Sequence, residues 1–329
     1  MRHAVQRNPG PMQRSAMALS TVLLVVCASG ASCPGFLGAY SPMPRVLPTE
    51  PTLQDVISVV NANSSRIQSL YTTDAEIYVP GMPSARAKIA MDRPRRFRLW
   101  ADTMLTGPEV DLGSNDELFW FWVRRAPQAK VFYCRHDQFA NSLARNFLPV
   151  EPAWLIEALG VAALDPAGDH SGPVPKGQGR LQITTRLPRP EGAFQRVLTI
   201  DSARGWVLEQ HLYDAAGQHI ASAMMSGHRP DPVTGAILPR QVKIIWPATK
   251  FEMTIDLNNV TVNQLGGDPQ QLWSMPNIVA TDYVNLADPN LQMPPAVPPP
   301  PAPPAYPERT DVEQTSRAPG GWLNRMMTR

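Results

Sequence analysis

The stretch that decides the fold lies at residues 85–136. It reads ARAKIAMDRPRRFRLWA at 85–101, EVDLGSND at 109–116, ELFWFWVRR at 117–125 and AKVFYCRH at 129–136. Apolar and polar residues alternate along most of it, aromatic residues are frequent, and Asn115-Asp116 and Ala-Pro-Gln at 126–128 are turn signals. The pattern predicts four or five consecutive β-strands joined by short turns.

The predicted strand at 117–124 is apolar on both of its faces. One face carries Leu118, Trp120 and Trp122, and the other carries Phe119, Phe121 and Val123. A sheet with one face in water alternates apolar with polar residues. Both faces of this strand must therefore be covered by protein, by a ligand or by a membrane.

The second half of the chain is also rich in strand patterns. Alternating segments run through 181–186, 197–201, 207–213, 220–227, 238–246 and 251–262, with hairpin-type turns between them. Helical periodicity is confined to a few segments, chiefly 52–65, where Thr52 and Asp55 form a capping pair, and 152–160. The Gly/Pro-rich residues 168–179 are interpreted as a loop. These features predict one large, strongly curved antiparallel sheet or barrel, with the helices on one side.

The N-terminal residues have the pattern of an export signal. Three arginines precede an apolar run at 16–28, which has the length of a signal-peptide core and is short for a permanent membrane span. Small residues at 30–32 then lead to Cys33, which resembles a bacterial lipoprotein signal with Cys33 as the lipidated residue. Gly30 departs from that pattern. The alternatives are lipidation of Cys27 and an ordinary cleaved signal with an incidental cysteine.

Composition divides the chain into four predicted segments. Residues 1–32 are a lipoprotein-type signal peptide, 33–51 a flexible Gly/Pro tether, 52–285 the folded domain, and 286–329 a Pro-rich disordered tail. Cys134 is then the one thiol of the body, which excludes an internal disulfide there. We interpret it as a small buried apolar residue.

The sequence contains no catalytic motif of the common kinds. HExxH, GxSxG, Walker A and paired-cysteine zinc motifs are all missing, so neither an enzyme activity nor a metal or cofactor is predicted. His211 and His219 are interpreted as a cross-strand surface pair, and the acidic loop around His170 as solvated. With a formal net charge of +2, the arginines at 93–98 are interpreted as a solvated strand face, and no nucleic-acid partner is predicted.

At residues 93–99, Arg-Pro-Arg-Arg-Phe-Arg-Leu, the chain resembles the bacterial lipoprotein localisation factors of the LolA/LolB type, a periplasmic carrier and an outer-membrane receptor. SNDELFW at 114–120 and QLWSMP at 271–276 follow in the family's order, after the helix at 52–65. The resemblance covers about 52–276. It implies a half-open antiparallel β-barrel of about ten or eleven strands, with a few helices forming a lid and an apolar inner face that shelters lipoprotein acyl chains. The loop at 168–179 and the proline tail have no counterpart in the family.

The resemblance also implies roles for particular residues. The predicted lipid-binding residues are Phe97, Leu99, Leu118, Trp120 and Trp122. The alternative is a barrel filled by an ordinary core.

Arg93 and the loop at 101–108 receive roles from the same resemblance. Arg93 matches an arginine that holds the lid of the soluble carrier, and it is the predicted gate; a solvated strand arginine is the alternative. Met104 and Leu105 match an apolar protrusion by which the receptor delivers cargo to a membrane. The alternative is a loop folded back on the barrel rim.

Together these features predict a lipid-anchored, non-enzymatic protein of the cell envelope that binds lipoprotein acyl chains or another lipid and takes part in lipoprotein sorting. Pro34 follows Cys33 in place of the acidic residue that marks inner-membrane retention in the family's best-known systems, so we expect the outer membrane, facing the periplasm. The alternative function is an envelope scaffold or sensor that uses the fold for protein interaction and the Pro-rich tail as a docking peptide.

Overall fold

A large antiparallel sheet dominates the structure, a computed structural model that describes residues 44–104, 107–125, 129–146, 148–189, 192–278 and 281–291. Its strands are β1 Ser69–Tyr78, β2 Ala85–Asp92, β3 Arg96–Thr103, β4 Gly107–Ser114, β5 Leu118–Val123, β6 Val131–Arg135, β7 Asp169–Gly177, β8 Arg180–Leu187, β9 Phe194–Asp201, β10 Val207–Tyr213, β11 His219–Ser226, β14 Gln241–Trp246, β15 Phe251–Val262 and β16 Tyr283–Asn285. A separate two-stranded ribbon consists of β12 Arg229–Pro230 and β13 Ile237–Leu238.

Helices are few and mostly short. The α-helices are α1 Leu53–Ser64, α2 Pro152–Ile156 and α3 Pro269–Leu272. A π-helical turn, Glu157–Val161, continues α2, and 3-10 turns occupy His136–Asn141, Leu143–Asn146 and Pro247–Thr249.

The strand order in the sheet is β16-β6-β5-β4-β3-β2-β1-β15-β14-β11-β10-β9-β8-β7. Neighbouring strands are antiparallel, apart from the parallel pair β6 and β16. The two ends of this order are not paired with each other, so within the described residues the sheet is not closed into a barrel. This confirms the predicted mainly-β, half-open architecture, although 14 strands exceed the predicted ten or eleven.

Helix α1 forms where the sequence predicts it, because Thr52 and Asp55 form a capping box at its N-terminus. The Thr52 hydroxyl accepts from the backbone N–H of Asp55 at 3.2 Å, and the Asp55 carboxylate accepts from the backbone N–H of Thr52 at 2.8 Å. Val56, Ile57 and Val60 are buried in the core on the face toward the sheet. The capping box and the apolar stripe together determine where this helix starts and which face it buries.

Two asparagines fix α1 to the rest of the domain. The side chain of Asn61 exchanges two hydrogen bonds with the backbone of Leu164, at 2.7 and 2.9 Å, and that of Asn63 does the same with Ile237, at 3.0 and 2.7 Å. Each amide satisfies one backbone donor and one acceptor that would otherwise be costly to bury. The second half of α1 is therefore firmly held.

Three segments differ from the sequence-based prediction. Residues 168–179, predicted as a loop, contain the edge strand β7, which tolerates two prolines because one side of an edge strand needs no donors. After Trp273, where no strand pattern is visible, the three-residue β16 pairs with β6. Leu47, within the predicted flexible tether, is buried in the core, and its N–H donates to the carbonyl of Ala203.

The described residues up to Pro289 belong to one compact unit with a continuous apolar core. Among the described residues, no helix has both the length and the apolar character needed to cross a membrane.

Candidate functional site

A cavity of about 440 Å³ lies on the inner face of the sheet, between the strands and helix α2. This volume falls within the usual range of ligand pockets. Nearly all of its wall is apolar. The strands contribute Ile77, Ala85, Phe97, Leu99, Ala101, Val110, Leu112, Phe119, Phe121, Val123, Ile244, Met253 and Ile255, and the helical segment contributes Leu148, Pro152, Leu155 and Leu159.

The two ends of the cavity differ. One end lies where β3 starts and β4 ends, and its lining residues Phe97, Ser114 and Phe119 are buried. The other end lies at the opposite strand termini, where the lining residue Met82, between β1 and β2, is 59% exposed. The cavity is therefore a slot that is closed at one end of the strands and open at the other. We call the open end the rim.

Strand β5 directs its two apolar faces to different partners. Phe119, Phe121 and Val123 line the cavity, together with Phe97 and Leu99 of the neighbouring strand β3. Antiparallel register brings Phe121 opposite Leu112, and Leu112 opposite Leu99, so these side chains share one face. Phe97 and Leu99 therefore line the cavity, and their binding of lipid stays a prediction.

Leu118, Trp120 and Trp122, predicted as cavity residues, lie on the other face of the sheet. Trp120 and Trp122 form a separate buried cluster with Val131, and Leu118, Met275 and Ile278 pack against it. Trp120 also borders the cavity, whereas Leu118 and Trp122 are not among its described lining residues. The assignment of Leu118 and Trp122 to the cavity wall is wrong, because the segment after α3 covers this face.

A polar network fixes this second face. Gly113 lies opposite Trp120 in the register, and a Cβ at Gly113 would come within 2.0 Å of the indole. The indole N–H donates to Asp111 at 3.0 Å, and Arg98 forms a two-pronged ion pair with the same carboxylate, at 2.7 and 3.2 Å. The glycine makes room for the indole, and the carboxylate orients it.

Arg98 also holds the covering segment. Its Nη1 donates to the carbonyls of Gln271 and Ser274, at 2.6 and 3.1 Å, while the side chain of Asn115 donates to the carbonyl of Trp273 at 3.1 Å. The QLWSMP sequence at 271–276 is therefore attached to the strand of the RPRRFRL sequence by an arginine and an asparagine. This explains how the segment stays on the face of Trp120.

Arg93, the predicted gate, lies at the end of helix α1. Its Nη1 donates to the carbonyl of Ser64 at 3.0 Å and to that of Ile67 at 3.5 Å. A cation near the last carbonyls of a helix satisfies free acceptors and interacts favourably with the helix dipole. Arg93 thus contacts the end of helix α1, but α1 contributes no residue to the described cavity wall. Its role as a gate stays a prediction.

Residues 101–103 of the predicted membrane or cargo loop belong to β3 and residues 107–108 to β4, so the described part of this loop lies at strand ends on the rim. Met104 directly follows β3 and is 88% exposed. Leu105 lies outside the described residues, as does the predicted lipidation site Cys33.

Polar groups of the cavity wall are concentrated at the rim. Glu109, near the start of β4, accepts from Arg125, just after β5, at 2.9 Å (Nε to Oε2) and 3.4 Å (Nη2 to Oε1). The Glu109 side chain is 9% exposed, whereas that of Arg125 is 54% exposed. Trp246 also lines the rim, stacked on Phe251 with ring centroids 4.7 Å apart. Its indole N–H is buried and has no hydrogen-bond partner among the described residues.

An ion pair and a hydrogen bond attach the helical wall of the cavity to strands β9 and β10, respectively. Glu157, at the start of the π-helical turn, accepts from Arg196 of β9 at 3.1 Å and from the side chain of Gln210 of β10 at 2.9 Å. Gly160 has φ +94°, and a Cβ there would approach Pro239 to 2.4 Å. These contacts place Leu155 and Leu159 over the slot.

The remaining sequence-based assignments concern residues away from the cavity. His211 and His219 are a cross-strand pair, with ring centroids 5.8 Å apart, and both contact the Ser222 hydroxyl. His170 contacts the backbone carbonyl of Asp165 at 2.6 Å. Cys134 is buried, and burial raises the pKa of its thiol, as expected of an inert residue. Within the described ranges, no group of three His, Cys, Asp or Glu side chains could hold a metal ion.

Several cavity residues were missed by sequence reasoning. Val110 and Leu112 flank Asp111 in β4, so alternation places them on one face of the strand. Pairing of β4 with β3 then assigns that face to the cavity side. Leu155 and Leu159 lie four residues apart on a predicted helix, a spacing that already placed them on one face. No comparable signal exists for Trp246 and the Glu109–Arg125 pair, because their proximity to the cavity depends on how strand ends meet at the rim.

No protein-family model matches the sequence, and no curated protein matches it either. Solved structures with a similar fold include a domain described as an outer-membrane lipoprotein-sorting protein from Vibrio parahaemolyticus, at 10% identity and TM-score 0.43, covering 66% of this chain and 95% of that one. A DUF1329 family protein from Desulfovibrio piger is similar at 11% identity and TM-score 0.43, covering 67% and 98%. A LolA superfamily protein from Nitrosomonas europaea is similar at 10% identity and TM-score 0.40, covering 69% and 99%. These similarities extend to the fold alone.

Proposed function

We propose that this chain is a non-enzymatic protein of the cell envelope that binds the acyl chains of lipoproteins, or of another lipid, in the cavity on the inner face of its sheet. The observation that carries the proposal is the slot of about 440 Å³, apolar along its wall and open at the rim. Burying an acyl chain contributes about 0.8 kcal/mol per methylene, and even part of a chain gives substantial affinity.

The membrane relations of the protein belong to the same proposal. Cys33 carries a lipid anchor that holds the protein at the outer membrane, facing the periplasm, and residues 33–51 connect the anchor to the domain. Met104 and Leu105 contact the membrane or cargo beside the open end of the slot. The exposure of Met104 and of the rim residue Met82 supports this role, because exposed apolar side chains at the open end of the strands favour a lipid surface.

Cargo would enter through the rim, tail first. Arg93, through the carbonyls at the end of α1, would regulate how tightly the domain closes, and the Pro-rich tail would dock a protein partner. Such a carrier would take part in lipoprotein sorting by moving acyl chains between a protein partner and the membrane.

A tryptophan placed in the slot tests the binding site. Leu112→Trp fills space along the cavity wall, while Lys88→Trp adds the same side chain at an exposed position of β2. Because each excluded methylene weakens binding about fourfold, Leu112→Trp should weaken binding of a fluorescent fatty acid by more than tenfold, and Lys88→Trp should not. Thermal unfolding of both variants checks that they fold. Equal binding by folded Leu112→Trp and wild type would reject the cavity as the site.

A further inference from the structure

Polar groups at the rim indicate which kind of headgroup the bound lipid carries. This inference rests on the proposed function. Along the strands the wall is apolar, and the ion pair found among its described lining residues, Glu109 with Arg125, lies at the open end. We infer that the cavity takes a single-chain amphiphile with an anionic headgroup, a carboxylate or a phosphate, and that Arg125 binds this headgroup at the rim.

The orientation of the ligand follows from the ends of the slot. Phe97 and Phe119 close the inner end, and no ion pair lies among the described lining residues there. A charged headgroup at that end would lose its hydration without a counterion, which is costly. An amphiphile therefore enters tail first, and its headgroup stops at the strand ends where Arg125 and Trp246 lie.

The accessible charge of the ion pair is the positive one. The Glu109 carboxylate is nearly buried and takes two N–H donors from Arg125, whereas the guanidinium is half exposed. Those two bonds use the Nε–Nη2 edge of the planar guanidinium, and the Nη1 donors lie on its other edge. An arginine with one edge on a carboxylate can present the other to a second oxyanion. Glu109 thus orients Arg125 toward a headgroup.

Two further features at the rim favour a headgroup with oxygen acceptors. Lys250, in the turn between β14 and β15, is exposed at the same edge of the sheet. The indole N–H of Trp246 is a buried donor at the cavity wall with no partner among the described residues, and an ester or acid carbonyl oxygen is the type of acceptor it lacks. A neutral apolar ligand would leave both donor groups unused.

A set of four probes with the same sixteen-carbon chain tests this inference: hexadecanoic acid, hexadecyl phosphate, methyl hexadecanoate and 1-hexadecanol. Each is used to displace Nile red, a neutral dye, from the full domain at neutral pH. We expect the two anions to bind about tenfold more tightly than the alcohol and the ester. The ratio of acid to phosphate then distinguishes a fatty acid from a lysophospholipid-type ligand.

Variants at the rim test whether Arg125 causes the tighter binding of the anionic probes. Arg125→Gln should remove the tenfold difference, and so should the neutral pair Arg125→Gln with Glu109→Gln, in which no buried charge is left alone. Arg135→Gln is the matched control, since Arg135 is 49% exposed, is ion-paired to Asp137 and lies at the opposite end of β6 from the rim. It should retain the difference.

The outcomes separate this inference from the proposed function. If all four probes bind the wild type equally, or if the double variant keeps the preference for anions, the headgroup inference is overturned while the cavity remains the lipid site. If neither Nile red nor any probe binds the folded wild type, both are overturned.

Discussion

Replacing Arg98 by methionine should destabilise the domain far more than the same change two residues earlier. Arg98 and Asp111 are each 12% exposed and form a two-pronged ion pair, and Arg98 also holds the carbonyls of the segment that covers Trp120. Removing one member of a buried ion pair costs about 3–5 kcal/mol, because the other charge is left without a partner. For a domain of this size that loss lowers Tm by roughly 6–20 °C.

Arg96→Met is the control for that change. Arg96 lies on the same strand and forms an ion pair of 2.6 Å with Asp116, but its side chain is 38% exposed and that of Asp116 is 60% exposed. An exposed pair contributes less than about 1 kcal/mol, so Arg96→Met should change the free energy of unfolding little.

Chemical denaturation measures the loss of unfolding free energy in each of the two variants. Hydrogen exchange of residues 270–286 shows whether the loss in Arg98→Met comes from the covering segment. In Arg98→Met these amides should exchange faster than in Arg96→Met, because the covering segment has lost its attachment. Adding Asp111→Leu to Arg98→Met removes the unpaired carboxylate, but it should restore only part of the stability, since the indole N–H of Trp120 then lacks its acceptor. Equal losses for Arg98→Met and Arg96→Met would refute the attachment.

Three further predictions concern the proposed carrier function. Arg93→Leu removes the donor to the Ser64 carbonyl, so it should cost about 1–2 kcal/mol of stability and change the release rate of a bound fluorescent fatty acid; a release rate equal to wild type would leave Arg93 a helix cap only. Leu105→Glu should leave cavity binding intact and slow transfer of bound lipid to liposomes, since an inserting leucine gains about 1.5–3 kcal/mol; an unchanged transfer rate would remove Leu105 from this role. Cys33→Ser should release the protein from membranes and leave an unprocessed precursor, and unchanged fractionation and mass would contradict lipidation.

The strands were predictable from local pattern because alternation and turn residues are local signals. Helix α1 was predictable for the same reason, from Thr52, Asp55 and one apolar stripe. The fold class followed from the number of such strands and the lack of long helices.

The orientation of β5 was not predictable, because both of its faces are apolar. What decides the question is the segment around Met275 and Ile278, which covers Trp120 and Trp122 but shows no periodicity of its own. Gly113 was the available hint, since a glycine opposite a tryptophan allows the indole to lie across it, but using it required the register of β4 and β5.

Edge strands were missed for a different reason. Prolines in β7 argue against a central strand, yet they are compatible with the edge position that β7 occupies. Strand β16 has three residues, too few for alternation to be visible, and its pairing with β6 depends on the covering segment that precedes it.

Mass spectrometry of lipids extracted from the natively purified domain tests the proposed carrier function most directly. We expect acyl lipids in near-equimolar amount with the wild type and with Lys88→Trp, and a large loss with Leu112→Trp, whose side chain occupies the slot. Absence of acyl lipid from the wild type, or equal amounts in the wild type and in folded Leu112→Trp, would contradict the binding of lipid in this cavity.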